Sequence, residues 1–193
     1  MSNNDLAPGL LLAAPSLHDP NFERTVILLG RAGADGALGW VINGRELMSV
    51  EEMFTSSDLV PEGAVVPPVE GFSRAACVGG PVAPASGWLV YRRLPQALAG
   101  EIEVGPDVGV SGELSAFTDL VRGGGPREFR LILGCAGWAP RQLEAEIGAG
   151  AWLPAAVDID LVFDTPLDEI WDAAYQRSVG SGPATFTNPR GRA

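Results

Sequence analysis

The stretch "LILGCAGWAPRQLEAEI", Leu131–Ile147, decides how the chain is read. "EFRLILG" is an apolar run with the length and composition of a strand, and it stops at Gly134. Beyond it, Leu143 and Ile147 share one face of a helix, with Glu144 and Glu146 turned away. Pro140 suits the first turn of that helix, where a missing N–H costs nothing. On this reading Cys135 stands at a strand-to-helix turn between Gly134 and Gly137, where several enzyme families keep a nucleophile. The G-x-S-x-G spacing of a nucleophile elbow is absent. A reactive thiolate needs a helix N-terminus or a neighbouring imidazole. The alternative is a small, inert cysteine in a corner made tight by glycine, and this reading is preferred.

Working outward, the segments before it are rich in strands. "GLLLAAP" (Gly9–Pro15) reads as a buried strand ended by proline, and "RTVILLG" (Arg24–Gly30) as a second. Gly33, Asp35 and Gly36 signal a turn into "ALGWVIN" (Ala37–Asn43), which makes a hairpin with a longish loop. "SVEEMF" is a short helix whose Ser49 and Glu52 have capping-box spacing. After a loop around Pro61–Pro68, "SRAACVGG" and "GWLVYRR" are strands, and "IEVGPDVGVS" a further strand with turns. In "GELSAFTDLVRGGG", Leu114, Phe117, Leu120 and Val121 share a helix face, and the glycines end it.

C-terminal to the opening stretch, "VDIDLVFD" (Val157–Asp164) alternates apolar and acidic residues, with Val162 the exception, which predicts a half-buried strand. "TPLDEIWDAAYQRS" predicts a helix capped by Thr165, with Pro166 first and Asp168 and Glu169 at the positive end of the dipole. Strands run in adjacent groups, without strict alternation with helices. The expectation is an α+β fold, a single domain over residues 1–178 with a mixed, largely antiparallel sheet and flanking helices. Residues 179–193 read as a mobile tail.

Composition limits the chemistry. The 193 residues suit one core of about 16 Å radius of gyration. Twenty-four acids face 13 bases, and none of the bases is lysine. Schiff-base chemistry, a lysine general base and a P-loop lysine are excluded. His18 is the single histidine. A net charge of −11 disfavours direct nucleic-acid binding. No apolar run approaches the roughly 20 residues of a membrane span, and the N-terminus lacks the basic region of a signal peptide. Cys77 and Cys135 do not make a disulfide framework, so a reducing cytoplasm is expected.

Three segments taken in order carry a resemblance. They are "APSLHDPNFERTVILL" with "DGALGWVIN"; "GGPV" (Gly79–Val82); and "GCAGWAPRQLEAEI" with "AWLPAAVDIDLVFDTPLDEIW". From about Gly9 to Trp171 the chain resembles the AlgH/YqgE family of bacterial proteins. The resemblance implies an α+β fold with a barrel-like, bifurcated sheet and a cytoplasmic protein with no established biochemical activity. Some members carry the label of transcriptional regulator. Where the family pattern reads G-Y-A-G-W, this chain has Cys135. A space-filling residue alternates with tyrosine more readily than a nucleophile does.

The candidate functional residues lie at strand ends. "PSLHDPNFER" concentrates Ser16, His18, Asp19, Asn21, Glu23 and Arg24 between two strands, either as a pocket wall or as a rigid connection built by prolines. Gly79, Gly80 and Pro81 would let a ligand approach bare backbone, or simply turn the chain. With the turn Gly134, Cys135, Gly137 and Trp138, these segments are expected to meet in one binding surface. No cofactor is expected. The glycines of "GRAGADGALG" do not have dinucleotide-binding spacing. No metal site is expected either, since Asp158 and Asp160 suit a solvated strand face better than a weak Mg²⁺ or Ca²⁺ site. Arg122, Arg127 and Arg130 form a possible anion patch, and the five tryptophans read as core. The favoured function is a non-enzymatic binding or regulatory domain for an unknown protein or small-molecule partner. The alternatives are a thiol- or histidine-dependent hydrolase using Cys135 and His18, and a regulator acting directly on DNA.

Overall fold

The strand that holds the sheet together is longer than its glycines suggest. The computed structural model describes residues 6–57, 60 and 67–179. In chain order the elements are β1 (Gly9–Ala13), β2 (Val26–Gly33), β3 (Gly36–Val41), β4 (Glu46–Ser49), α1 (Val50–Thr55), α2 (Glu70–Ser73), β5 (Ala75–Val78) and β6 (Val82–Arg92). They continue as β7 (Ile102–Glu103), β8 (Val108–Ser111), α3 (Leu114–Val121), β9 (Phe129–Trp138), α4 (Gln142–Gly148), β10 (Trp152–Ala155), α5 (Ile159–Phe163) and α6 (Ile170–Val179).

One edge of β9 pairs antiparallel with β6. Its other edge is divided. Ile132 and Leu133 run parallel to Cys77 and Val78 of β5, and Ala136–Trp138 pair antiparallel with Ala37–Gly39 of β3. The sheet therefore bifurcates at Gly134. The main path runs β10-β1-β2-β3-β9-β6-β8-β7, with β4 and β5 as the branch, and the ten-stranded sheet is not closed. The α+β class with a largely antiparallel, mixed sheet is as expected. Pro154 sits in the terminal strand β10, where its missing N–H spoils no ladder on the open side.

The continuous apolar reading of β1 has a simple cause: both faces are covered. Leu10 and Leu12 join Val26, Leu28 and Trp40 under α5 and α6. Leu11 and Ala13 join Ile27, Leu29 and Val41 under α4, with Trp138 and Trp152. A third cluster packs α1, α2 and α3 against Leu89, Tyr91, Phe129 and Leu131. Trp40, Trp138, Trp152 and Trp171 are buried, and Trp88 packs against the core as a half-buried residue. The capping box at Ser49 and Glu52 forms as expected. Helix α3 buries Phe117, Leu120 and Val121, but its first residue, Leu114, is 65% exposed.

Four local expectations are corrected. Cys135 is not at a strand-to-helix turn, because β9 continues through it to Trp138. Pro140 lies in the turn before α4, which begins at Gln142 after Arg141 takes φ +66°. Val157–Asp164 is not a strand. Asp158 Oδ1 accepts from the backbone N–H of Asp160 and Leu161, and this N-cap starts α5. Leu161, Val162 and Phe163 are all buried in sequence, which a one-sided strand would not allow. Thr165 does not cap α6. Its hydroxyl donates back to Asp160 O in the first turn of α5, and α6 begins at Ile170 after a turn. Val179, expected to open the tail, is the last residue of α6, and the rest of that tail, with residues 61–66 of the Pro61–Pro68 loop, lies outside the described residues.

Candidate functional site

The glycines of "GGPV" and "GCAG" do one job together. Between β5 and β6 the chain crosses directly over β9. Gly79 N–H donates to Leu133 O at 2.7 Å, and Gly79 O accepts from Val41 N–H at 3.0 Å. Gly80 has φ +142°, and a Cβ there would stand 2.4 Å from Cys135 O. Gly134 has φ +76°, and a Cβ there would stand 2.6 Å from Gly80 O. Backbone meets backbone, so neither position has room for a side chain. Above the crossing β6 leaves register: Val82 opposes Cys135, and the next pair is Gly87 with Leu133. Residues 83–86 bulge outward, starting at Ala83 with φ +46°.

A second wall comes from the connection between β1 and β2. Asp19 Oδ1 accepts from Asn21 N–H at 2.8 Å, and Asp19 O accepts from the N–H groups of Phe22 and Glu23. Thr25 Oγ1 donates to Phe22 O at 2.7 Å. Arg24 takes φ +54°. Asn43, just past β3, fixes that conformation. Its Oδ1 accepts from Val26 N–H at 2.8 Å, and its Nδ2 donates to Arg24 O at 2.9 Å. The Arg24 guanidinium lies 4.1 Å above the Trp171 ring and bonds Asp172 Oδ2 at 2.9 Å.

Between these walls is a cleft of about 440 Å³. Its lining runs from Pro20 to Thr25 on one side, through Asn43, Gly44 and Arg45 on the floor, to Gly80, Pro81 and Pro84 on the other. Its charges are unequal. Arg24 is balanced by Asp172, and Glu23 lies 3.8 Å from His18 Nδ1. Arg45 is exposed and belongs to no ion pair among the described residues.

Of the residues expected from sequence, Asn21, Gly80 and Pro81 line this cleft. Gly79, Gly134 and Cys135 form the crossing on which Gly80 rests. Asp19 shapes the wall from behind. Ser16 lines a different, apolar hollow with Trp152, Leu153 and Tyr175. His18 is 78% exposed and lines no part of the cleft. Gly137 pairs with Leu38 in the sheet. Trp138 is buried, and its Nε1 donates to Glu146 Oε2 at 2.9 Å. Glu23 and Arg24, named in the polar connection, line the cleft as well, while Asn43 and Arg45 were missed. The Asn43-Gly44 pair closing a strand is the signal that marks the floor.

The thiols are withdrawn from chemistry. Cys135 is 5% exposed, its Sγ faces Val82 O at 3.7 Å, and burial pushes its thiol up. Burial pushes the Cys77 thiol up to about 11, against a smaller opposing pull from Arg130. The supposed patch of Arg122, Arg127 and Arg130 does not form. Arg130 is buried, its Nε donates to Val162 O, and a terminal nitrogen donates to Thr165 O at 3.2 Å. Asp158 holds the α5 cap and bonds Arg177 at 2.6 Å, so it is not a bare strand-face carboxylate. Among the described residues no group of three or more His, Cys, Asp or Glu is placed to hold a metal ion. Among them also, no helix is long and apolar enough to cross a membrane.

Comparison with known proteins gives one consistent result. A family model described as AlgH-like matches residues 10–181. A UPF0301 protein of Anaeromyxobacter sp. (strain K) is 40% identical over 185 residues, covering 94% of this chain and 91% of that protein. A UPF0301 protein of Ruegeria pomeroyi is 35% identical over 173 residues, covering 89% and 91%. The solution structure of the AlgH protein from Pseudomonas aeruginosa superposes with a TM-score of 0.72 at 29% identity, covering 97% of this chain and 96% of that one. A crystal structure of a Corynebacterium diphtheriae protein shares the fold, with a TM-score of 0.71 at 23% identity over 97% of this chain and 95% of its own.

Proposed function

The chain belongs to the AlgH-like family, and on that premise we propose that it is a non-catalytic binding domain whose ligand site is the cleft between Asn21, Arg45 and Gly80. One observation carries this reading: the walls are fixed before anything binds. The Gly79–Gly80 crossing is locked to β9, Asn43 holds Arg24, and Arg24 is clamped between Trp171 and Asp172. Pre-set walls favour binding, because little order is lost when a ligand arrives.

The groups a reaction would need lie elsewhere. Burial keeps both thiols protonated, and the lone imidazole is exposed to solvent and is not part of the cleft lining. This weighs against a hydrolase built on Cys135 and His18. A net charge of −11 weighs against direct contact with DNA. The unbridged Cys77 and Cys135 support a cytoplasmic setting, and regulation through a small-molecule ligand or a protein partner fits both features.

The test is amide NMR of the labelled protein titrated with a deproteinised metabolite pool. Shifts confined to residues 20–25, 43–45 and 78–84, with the bound compound recovered chemically unchanged, are expected. Shifts that miss these segments, or conversion of a metabolite that stops in His18→Ala or Cys135→Ala, would overturn the reading.

A further inference from the structure

We infer that the cleft takes a small oxyanion, a carboxylate or phosphate group, on the Arg45 guanidinium. This rests on the reading of the cleft as a ligand site and adds the chemistry of the ligand.

The argument is one of unbalanced charge in a concave, pre-set place. Five arginines of the described chain are in ion pairs with carboxylates: Arg24, Arg74, Arg92, Arg93 and Arg177. Arg130 is satisfied by carbonyls. Like the exposed Arg31, Arg122, Arg127 and Arg141, Arg45 has neither kind of partner among the described residues, and of these five it alone lines the cleft. Its neighbour in sequence, Glu46, pairs across to Cys77 and is absent from the cleft lining. The single acid in the lining, Glu23, is more than half exposed to solvent and is in no ion pair with an arginine among the described residues, so it does not cancel the Arg45 charge by direct contact. Asn21 also lines the cleft, and its carboxamide has no hydrogen-bond partner among the described residues, so it offers the same cleft a second N–H donor.

A guanidinium with a forked set of N–H donors matches the two oxygens of a carboxylate or phosphate. Charges separated by more than about 8 Å are screened at physiological ionic strength. The many distant acids of a chain of net charge −11 therefore do not cancel the field of Arg45 inside the cleft. The walls bear Pro20, Pro81 and Pro84, which hold shape and present no N–H of their own. Recognition then falls to the floor and to Asn21. Arg31 provides an internal comparison. It is also exposed and unpaired, but it lines a broader, more open hollow beside Gly33, Asp35 and Trp138.

The experiment is a set of amide NMR titrations at constant ionic strength, using inorganic phosphate, succinate and the neutral analogue succinamide. They are run on the wild type, Arg45→Gln, Arg45→Lys and Arg31→Gln. Saturable shifts at Asn21, Gly44 and Gly80 with phosphate or succinate, and none with succinamide, are expected. Loss of the forked charge in Arg45→Gln should weaken binding about tenfold. Arg45→Lys should recover part of that loss, and Arg31→Gln should change it by less than about twofold. The tighter of the two anions identifies the head group. Equal weakening by Arg45→Gln and Arg31→Gln would mean diffuse charge and overturn the inference. Succinamide saturating the cleft while the anions do not would overturn it and leave the binding reading intact. So would a response to the metabolite pool without one to either anion. Silence of the cleft towards pool and probes alike would remove both.

Discussion

At the scale of single residues, the two cysteines show how far burial decides chemistry. Cys135 looked like a nucleophile because glycines surround it. Those glycines are there so that the chain can cross β9 at Gly80, and the thiol fills the space beside Val82. Sequence reasoning preferred the inert reading and was correct about burial, but it misplaced the residue. Apolar periodicity breaks at a glycine whether the strand ends or merely admits a close neighbour. Cys77 makes the energetic consequence measurable. It is 2% exposed, and its thiol is held up from 9.0 to about 11. The native state therefore keeps this proton after the unfolded chain has released it. Stability from this source is complete below the unfolded pKa and falls as pH rises between 9.0 and about 11. The loss approaches about 2 kcal/mol across that window. Urea denaturation of wild type and Cys77→Ala at pH 8, 9.5 and 11 tests it. The wild type should lose stability faster on the way up, while Tyr91 and Tyr175, whose hydroxyls burial also pushes up, contribute equally to both proteins. Parallel pH curves for the two would contradict the assignment.

Among elements, the errors share a cause. Val157–Asp164 has the alternation of a strand, and local pattern alone cannot show that Arg177, from α6, arrives to bond Asp158. Tertiary contact turned an ambiguous octapeptide into a capped helix. The same holds for Arg130, legible as surface charge and found buried because the carbonyl end of α5 lies over it. Hairpins, the capping box and α3 were legible because their signals are local. Helix α4 offers the clearest test of what sequence could not reveal. Glu146 was expected to face away from the core face. Instead its Oε2 accepts from Trp138 Nε1 at 2.9 Å and Trp152 Nε1 at 2.8 Å, and its Oε1 accepts from Gln142 at 2.8 Å. Those indoles meet edge to face at 6.0 Å, which fixes α4 against β10. Glu146→Ala strands two buried N–H donors and should cost about 3 kcal/mol. Glu146→Gln keeps an acceptor oxygen and should cost about 1 kcal/mol. Urea unfolding followed by tryptophan fluorescence separates them, and equal costs would show that the carboxylate's two-indole contact carries no weight.

Over the whole molecule, the α+β class was readable because strands run in adjacent groups, whereas the bifurcated sheet was implied only by the family resemblance. The binding surface was readable only in part. Asn21, Gly80 and Pro81 reach one cleft, while Ser16, His18 and Trp138 point elsewhere. Polar and glycine-rich turns mark strand ends, but which ends meet depends on the branch at β9, which no local signal encodes. Charge is a property of the whole chain and yields its own test. A net charge of −11 on a fold this size repels itself, and that repulsion is relieved when the chain unfolds. Salt also weakens the ion pairs that favour the fold. Most of these pairs are partly or fully exposed, with Glu101 the buried exception, so they contribute little individually. Relief of repulsion should therefore win. Raising NaCl from about 10 mM to about 300 mM shortens the screening length from about 30 Å to under 10 Å. The melting temperature should rise by about 2–4 °C, the shift expected for about 1 kcal/mol in a chain of this length. Differential scanning calorimetry at matched pH measures it, with sucrose as an uncharged comparison for solvent exclusion. A melting temperature that falls with added NaCl would mean that the ion pairs, with the Arg93–Glu101 and Arg92–Glu128 contacts foremost, outweigh the repulsion, and that the acidic surface carries less strain than its charge implies.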